Sequence, residues 1–240
     1  MRRFFAENMD LNGDAVCLYG DEARHIGLVL RMKPGDEVLL IDGSGAECTA
    51  VIESITEDSV RLAVRERRMS STEPEVSVTL FQCLPKQGKM EVIIQKCVEL
   101  GVMKIVPTVS ARCVVKIEGK DNKIARWNKV SQEAAKQCGR AAVPQVAFPT
   151  ALEKIDFSGF DTVLIAYENE SEVTLRSVLT DGRKVSNMAV VIGPEGGFEP
   201  KEVGSVAARG GIPVSLGRRI LRTETAGMAV LAQIMYELEQ

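Results

Sequence analysis

Met188-Ala189-Val190-Val191-Ile192 leads directly into Gly193-Pro194-Glu195-Gly196-Gly197, and a helical pattern follows from Glu199. The continuous apolar run predicts a buried strand. A strand, a glycine-rich turn and a helix together allow backbone N–H groups to approach a ligand at the carboxyl edge of a sheet. The turn matches neither G-x-G-x-x-G nor the P-loop pattern. Taken alone it is weak evidence, since such a turn can simply reverse the chain.

A second loop, Leu216-Gly217-Arg218-Arg219-Ile220-Leu221-Arg222-Thr223-Glu224-Thr225-Ala226, lies between a predicted strand and the last predicted helix. One interpretation makes Thr223 a helix N-cap, Glu224 a favourable acid of the first turn and the arginines solvated. That interpretation does not explain three arginines in one turn. Cations beside a helix N-terminus suit a phosphate or carboxylate, so we favour a functional loop.

The position of the two loops in the chain argues against a Rossmann dinucleotide site, because the glycine loop of such a site follows the first strand of the sheet. Only 43 residues follow Gly197. A nucleotide site built here therefore lies at the C-terminal end of a sheet domain.

The predicted pattern of secondary structure changes near Met69 to Glu75, a stretch rich in Ser and Thr that contains Pro74. Before it, short strand patterns alternate with turns and predict a small β-barrel over residues 1–72. After it, strands and helices alternate and predict a largely parallel, helix-covered sheet over residues 73–240. The clearest helix pattern places apolar residues at positions 90, 93, 94, 97 and 98. The expected fold class is α/β with a small N-terminal β domain.

Composition excludes several classes of protein. With 45% hydrophobic and 26% charged residues, the chain is neither collagen-like nor disordered. No apolar run approaches the roughly 20 residues that span a bilayer. The opening residues 1–5 are followed by Glu7 and Asp10 instead of an apolar signal segment, so we expect a cytoplasmic protein.

Cysteine and histidine usage argues against a metal site. The six cysteines are never within three positions of one another, which excludes a zinc ribbon or a redox pair by spacing. The single histidine, His25, fits an amphipathic segment better than a ligand set. We expect reduced cysteines and no metal.

The net charge of -3 conceals a basic stretch over residues 84–140, which holds 12 Lys or Arg against 5 Asp or Glu. A helical pattern between Asp121 and Arg140 places Ile124, Trp127, Ala134 and Cys138 near one stripe and most basic residues elsewhere. A charge run of this kind is more often a solvated face than a phosphate-binding surface. Both interpretations stay open from charge alone.

The two C-terminal loops together resemble the paired signature of the knotted SPOUT methyltransferases. The opening Met1-Arg2-Arg3-Phe4-Phe5, the segment from His25 to Lys33, and Leu84-Pro85-Lys86 through Glu99-Leu100-Gly101 resemble the bacterial ribosomal small subunit methyltransferase E family. That family methylates N3 of one uridine in 16S rRNA. The resemblance runs from end to end and implies a PUA-like RNA-binding barrel, an α/β domain with a C-terminal trefoil knot, and a homodimer whose active site is completed across the interface.

The resemblance also implies site residues. S-adenosylmethionine (SAM) would be held by Tyr167, Glu168, Gly193, Pro194, Glu195, Gly196, Gly197, Leu216, Gly217, Ile220, Leu221, Arg222, Thr223, Thr225 and Ala226. We expect Glu224 to act as the general base that removes the uracil N3 proton, and Arg222 to orient the uracil or stabilise its developing charge. For Glu224, a structural role as a first-turn acid or arginine partner is about equally plausible.

With RNA as the expected substrate, the basic stretch is better explained as an rRNA surface. We expect Arg2, Arg3, Phe4, Lys86, Lys123, Arg126, Lys129 and Arg140 to contact RNA. The target base is expected to be everted.

Two alternatives remain. The chain could be a ribosome-assembly factor that binds RNA without catalysis, although both glycine loops and Arg222-Thr223-Glu224 are intact. It could also be a SPOUT enzyme acting on tRNA or a ribose hydroxyl, which the knot motifs tolerate but the N-terminal resemblance does not.

Overall fold

The computed structural model describes residues 1–6, 13–86, 88–114 and 120–239. The chain forms two compact units, one of Met1–Glu73 and Ala135–Val143, the other of Pro74–Ala134 and Pro144–Gln240. Glu7, Asp10 and residues 115–119 of the basic stretch lie outside the described residues. No helix in the described part is both long and apolar enough to cross a membrane.

The first unit is built on one five-stranded sheet. Its strands are β1 (Arg2–Phe5), β2 (Ala15–Tyr19), β3 (Glu37–Ile41), β4 (Ala46–Ile55) and β5 (Ser59–Met69). They lie in the order β1-β3-β4-β5-β2, with β1 and β3 parallel and the other pairs antiparallel. After β2 comes α1 (Gly20–Arg24), which continues into a π-helical turn over His25–Val29.

One hydrophobic core receives side chains from all five strands, among them Phe4, Leu18, Leu40, Ile52 and Leu62. A sheet that surrounds a single core in this way is curled. Because β1 and β2 are the two ends of the strand order, no strand pair in the described part closes the sheet into a barrel.

The segment Ala135–Val143 packs on this unit through hydrogen bonds. The Glu73 carboxylate accepts bonds from Arg140 and from the backbone N–H groups of Ala141 and Ala142. Local sequence gives no sign of this packing, because the segment lies more than 60 positions from its partner. The division into domains 1–72 and 73–240 stays a prediction.

The second unit is a seven-stranded parallel sheet with helices on both faces. Its strands are β6 (Ser77–Cys83), β7 (Lys104–Val109), β8 (Gln145–Val146), β9 (Thr150–Ala151), β10 (Thr162–Ala166), β11 (Asn187–Ile192) and β12 (Gly211–Val214). Their order is β12-β10-β11-β6-β7-β8, with β9 beside β7. The helices are α2 (Lys89–Glu99), α3 (Lys120–Cys138), α4 (Leu175–Leu179), α5 (Pro200–Ala207) and α6 (Thr223–Leu238). The last residues of α3, from Ala135 onward, belong to the first unit. The α/β prediction is confirmed, whereas the trefoil knot stays a prediction.

The helices form where the sequence carries their signals. In α2, the buried residues are the five apolar positions that define the predicted stripe, and Gly101 follows the helix with a φ of +91°. α5 begins with Pro200 and a capping box between Glu199 and Glu202. In α3, Ile124, Trp127 and Ala134 are buried as predicted, but Cys138, the last residue of the helix, is exposed.

The parallel sheet determines where a site can form. Because every strand pair of this unit is parallel, the carboxyl ends of β6, β10, β11 and β12 lie at one edge. The loops that follow these strands therefore meet there, and both loops singled out from the sequence are among them.

Candidate active site

A pocket of about 340 Å³ opens at the carboxyl edge of the second unit's sheet. Three loops and the start of α6 form it: those after β10, β11 and β12. Its lining residues are Ala166, Tyr167, Glu168, Ile192, Gly193, Pro194, Glu195, Gly196, Gly197, Ser215, Leu216, Gly217, Arg218, Arg219, Ile220, Leu221, Thr223 and Ala226.

Nearly all of the predicted cofactor residues lie in this wall. The exceptions are Arg222 and Thr225, which are exposed and outside the lining. Conversely, Ser215, Arg218 and Arg219 line the pocket although the sequence-based assignment omits them. Their positions within or beside the second loop are the sequence feature from which these three pocket residues could be predicted.

Two glycines allow the first loop to lie close to its neighbours. Gly197 has a φ of +67°, and a Cβ there would overlap the Glu168 carboxylate. A Cβ on Gly193 would lie 3.1 Å from the Phe198 ring. The loop conformation therefore depends on the missing side chains and is more than a simple reversal of the chain.

Thr223 connects the two loops beneath the pocket. Its hydroxyl donates to the Gly193 carbonyl at 2.6 Å and accepts from Gln82 Nε2 at 2.9 Å. Thr223 is 4% exposed and Gln82 is fully buried at the end of β6. Arg222 is the N-cap residue of α6, so the alternative interpretation of Thr223 as a helix N-cap is wrong; its side chain makes this tertiary contact instead.

Lys89 joins two acidic side chains at the pocket edge. Its Nζ lies 3.1 Å from Glu195 Oε1 and 3.1 Å from Glu224 Oε2. Glu195 lines the pocket, whereas Glu224 does not. The sequence-based assignment missed both Lys89 and Gln82, because nothing local distinguishes a lysine at the start of a helix or a glutamine in a strand.

The environment keeps both carboxylates charged. A hydrogen bond from its own backbone N–H lowers the pKa of Glu224 and outweighs burial, which raises it. Lys89 and Arg222 lower this pKa further. Burial raises the pKa of Glu195, but hydrogen bonds from its own backbone N–H, from the Lys86 N–H and from Lys89 outweigh burial and lower it overall. An ionised Glu224 can accept a proton at neutral pH, which a base requires.

The predicted RNA residues separate into accessible and buried groups. In the second unit, Lys86, Lys123 and Lys129 are exposed. The Arg126 side chain is 72% exposed, and its Nη2 atom lies 3.4 Å from Glu91 Oε1. In the first unit, Arg2 and Arg3 are exposed, and Arg3 donates to the Gly139 carbonyl.

Two expected RNA contacts are buried instead. Phe4 is 2% exposed and packs in the core of the first unit, edge to face with His25. Arg140 is 4% exposed, and its guanidinium is 2.7 Å from Glu73. Both assignments are therefore corrected: Phe4 belongs to the hydrophobic core of the first unit, and the Glu73 carboxylate neutralises the buried Arg140.

No group of three or more His, Cys, Asp or Glu side chains in the described ranges lies close enough to hold a metal ion.

Comparison with known families identifies the chain. A model of the RNA methyltransferase domain matches residues 72–235, and a model of the RNA methyltransferase PUA domain matches residues 18–64. The ribosomal RNA small subunit methyltransferase E of Bacillus subtilis is 35% identical over 252 residues, covering 100% of this chain and 98% of the relative. The chain belongs to the ribosomal RNA small subunit methyltransferase E family.

Solved structures agree with that family. A ribosomal RNA small subunit methyltransferase E from Neisseria gonorrhoeae, bound to SAM, is 31% identical with a TM-score of 0.82, over 98% of this chain and 97% of that one. A Legionella pneumophila protein in complex with the cofactor SAM is 30% identical with a TM-score of 0.80, over 98% and 96%. The family identification, the α/β fold and the PUA-like domain with its curled sheet are confirmed.

Proposed function

We propose that this RNA methyltransferase transfers the methyl group of SAM to N3 of one uridine in 16S rRNA. The observation that carries the proposal is the pocket formed by the two glycine- and arginine-containing loops, in a chain whose relatives are bound to SAM. Because small ribosomal subunits are assembled in the cytoplasm, the proposed substrate implies that location.

The residues present fit SAM. Gly193, Gly196 and Gly197 leave main chain accessible to a nucleoside. The carboxylates of Glu168 and Glu195 suit a ligand that carries a sulfonium and an ammonium group, and Arg218 and Arg219 suit its carboxylate. When bound, SAM supplies an electrophilic methyl group.

The chain's own residues have two tasks in the reaction. The pocket and its rim hold the uracil in line with the methyl group, which converts an encounter of two molecules into a positioned displacement. N3 must lose its imide proton, and we assign that proton to the Glu224 carboxylate. Arg222, exposed at the start of α6 and electrostatically coupled to Glu224, is assigned to orient the uracil and stabilise the charge that develops on it.

The proposed RNA contacts are the accessible members of the predicted set, without Phe4 and Arg140. They are Arg2 and Arg3 of the first unit and Lys86, Lys123, Arg126 and Lys129 of the second. Such residues bind phosphates without reading sequence, so base selection falls to the pocket rim, which receives the everted uridine.

The proposed assembly is a homodimer. Its support is the resemblance together with exposed apolar side chains on two adjacent helices, Val92 of α2 (47% exposed) and Tyr236 of α6 (74% exposed). Light scattering of the full chain at micromolar concentration should give twice the 26.2 kDa chain mass. A single-chain mass at that concentration would contradict the dimer.

Methylation of small subunits from a strain that lacks this protein tests the proposal. With radiolabelled SAM we expect one methyl group per particle, mapped to uridine N3 by nuclease digestion, mass spectrometry and a primer-extension stop. Glu224→Gln should reduce the single-turnover rate at least about 100-fold with SAM affinity retained. Undiminished methylation would eliminate Glu224 as the base.

Other outcomes identify the alternatives. SAM binding and rRNA binding without methyl transfer would favour a ribosome-assembly factor. A methyl group on tRNA or on a ribose oxygen would favour a SPOUT enzyme with a different substrate.

A further inference from the structure

The assigned base and the pocket wall are connected through a single side chain. Glu224 does not line the pocket, and Glu195 does. Lys89 Nζ lies 3.1 Å from an oxygen of each, so one ammonium group bridges them.

The bridge joins three separate elements. Lys89 is the first residue of α2, Glu195 belongs to the loop after β11, and Glu224 is in the first turn of α6. The backbone N–H of Lys86, in the loop before α2, donates to the same Glu195 oxygen at 3.1 Å. The position of Glu224 relative to the pocket is therefore coupled to α2 as well as to its own helix.

The bridge is also partly shielded. The side chains of Lys89, Glu195 and Glu224 are 30%, 29% and 22% exposed. Ion pairs at this depth are screened less by water and salt than fully exposed pairs. The charged groups that act on Glu224 are Lys89 from α2 and Arg222 from its own loop, and those that act on Lys89 are Glu224 and Glu195.

We propose that Lys89 is a positioning residue, whose ammonium group holds the Glu224 carboxylate at the edge of the pocket by linking it to Glu195. This role rests on the proposed function, in which Glu224 takes the N3 proton. It has a second consequence: because a neighbouring cation favours the charged form of a carboxylate, Lys89 lowers the pKa of Glu224 and keeps this side chain ionised.

The first test does not depend on methyl transfer. Carbon-13 NMR of the side-chain carboxyl groups, with the Glu224 signal assigned by its loss in Glu224→Gln, gives the titration midpoint of Glu224. We expect a higher midpoint in Lys89→Met than in the wild-type chain, and a midpoint close to wild type in Lys89→Arg, which keeps the charge. An unchanged midpoint in Lys89→Met would overturn the proposal.

The second test separates positioning from folding. With SAM and small subunits bound in advance, we expect Lys89→Met to lower the single-turnover rate about 10- to 100-fold while the dissociation constant for SAM changes less than about threefold. Lys89→Arg should recover most of the rate. Lys96→Met is the matched control, because Lys96 is on the same helix and pairs only locally with Glu99 in the described structure; it should behave as wild type.

The outcomes are distinguishable. A wild-type chain that binds no SAM or methylates nothing refutes the proposed function, while the NMR result still decides the contact between Lys89 and Glu224. Equal loss of rate and of SAM affinity in Lys89→Met and Lys89→Arg would show loop collapse and overturn the positioning role.

Discussion

Gly197 shows how one missing side chain shapes the pocket. Its φ of +67° is costly for other residues, by roughly 1–2 kcal/mol, and a Cβ would overlap the Glu168 carboxylate. We expect Gly197→Ala to displace Glu168 or the loop and to weaken SAM binding at least about tenfold, measured by calorimetry.

Gly204 is the matched control for that substitution. It lies in α5, and a Cβ there meets nothing within 4 Å. Gly204→Ala should leave SAM affinity unchanged and raise the free energy of unfolding by about 0.5–1 kcal/mol. Equal SAM affinities of the two variants would show that Gly197 has no special role.

Glu47 is a buried acid whose stability contribution depends on pH. Burial raises its pKa, but hydrogen bonds from Arg68 and Ser70 outweigh burial and lower it overall. A carboxyl group with a lowered folded pKa stabilises the fold above its ordinary pKa of 4.5, and this stabilisation is lost as the pH falls through the folded value.

Arg68→Met tests that contribution. Arg68 is 63% exposed, so we expect a moderate loss of about 1–3 kcal/mol at pH 7 in urea unfolding. The difference from the wild-type chain should narrow as the pH approaches 4 and below, because Glu47 becomes protonated. Arg61→Met, on the same strand but paired with the exposed Glu53, should change the free energy of unfolding much less, because water and salt screen this pair. A pH-independent difference for Arg68→Met would contradict the assignment.

The Glu73 carboxylate is one of the groups that attach the segment Ala135–Val143 to the rest of the first unit. Glu73 accepts bonds from Arg140 Nε and Nη2 at 3.1 and 2.7 Å, and from two backbone N–H groups at 2.8 and 3.0 Å. Glu73→Gln leaves the buried guanidinium without a counter-charge, so we expect a loss of about 3–5 kcal/mol in the free energy of unfolding.

The exposed pair between Arg183 and Asp181 provides the comparison. Asp181→Asn should change the free energy of unfolding much less than Glu73→Gln, since water and salt screen this pair. In a double-mutant cycle, Glu73→Gln and Arg140→Met should show strong coupling, which separates the ion pair from unrelated effects of each substitution. Additive losses would refute the pairing.

The distribution of charge over the whole chain bears on RNA binding. A net charge of -3 hides a stretch with net charge +7, and the accessible part of that stretch includes Lys123 and Arg126 of α3. We expect Lys123→Glu/Arg126→Glu to weaken binding to 16S rRNA about tenfold or more at low salt and to reduce the steepness of the salt dependence. Filter binding across a series of salt concentrations measures both quantities.

Lys184→Glu is the control, since it changes charge outside the basic stretch. It should leave the salt dependence unchanged. If the α3 double variant bound like the wild-type chain at every salt concentration, α3 would not be part of the RNA surface.

The local pattern of the chain was sufficient for the secondary structure and the fold class. β11 contains the predicted buried strand 188–192, and α2 buries the five predicted apolar positions, because apolar periodicity and the preference of each residue act over a few neighbouring positions. The two loops were recognisable for the same reason, since glycine and arginine in a strand-to-helix turn form a local motif.

Tertiary structure alone decided which side chains face solvent and which side chains far apart in the sequence contact one another. Phe4 and Arg140 looked like RNA contacts in the sequence and are buried. Lys89 and Gln82 carried no motif, yet they contact Glu224 and Thr223, 135 and 141 positions away. Contacts over such separations arise only when the parallel strands bring their carboxyl ends to one edge, and no short window of sequence encodes that arrangement.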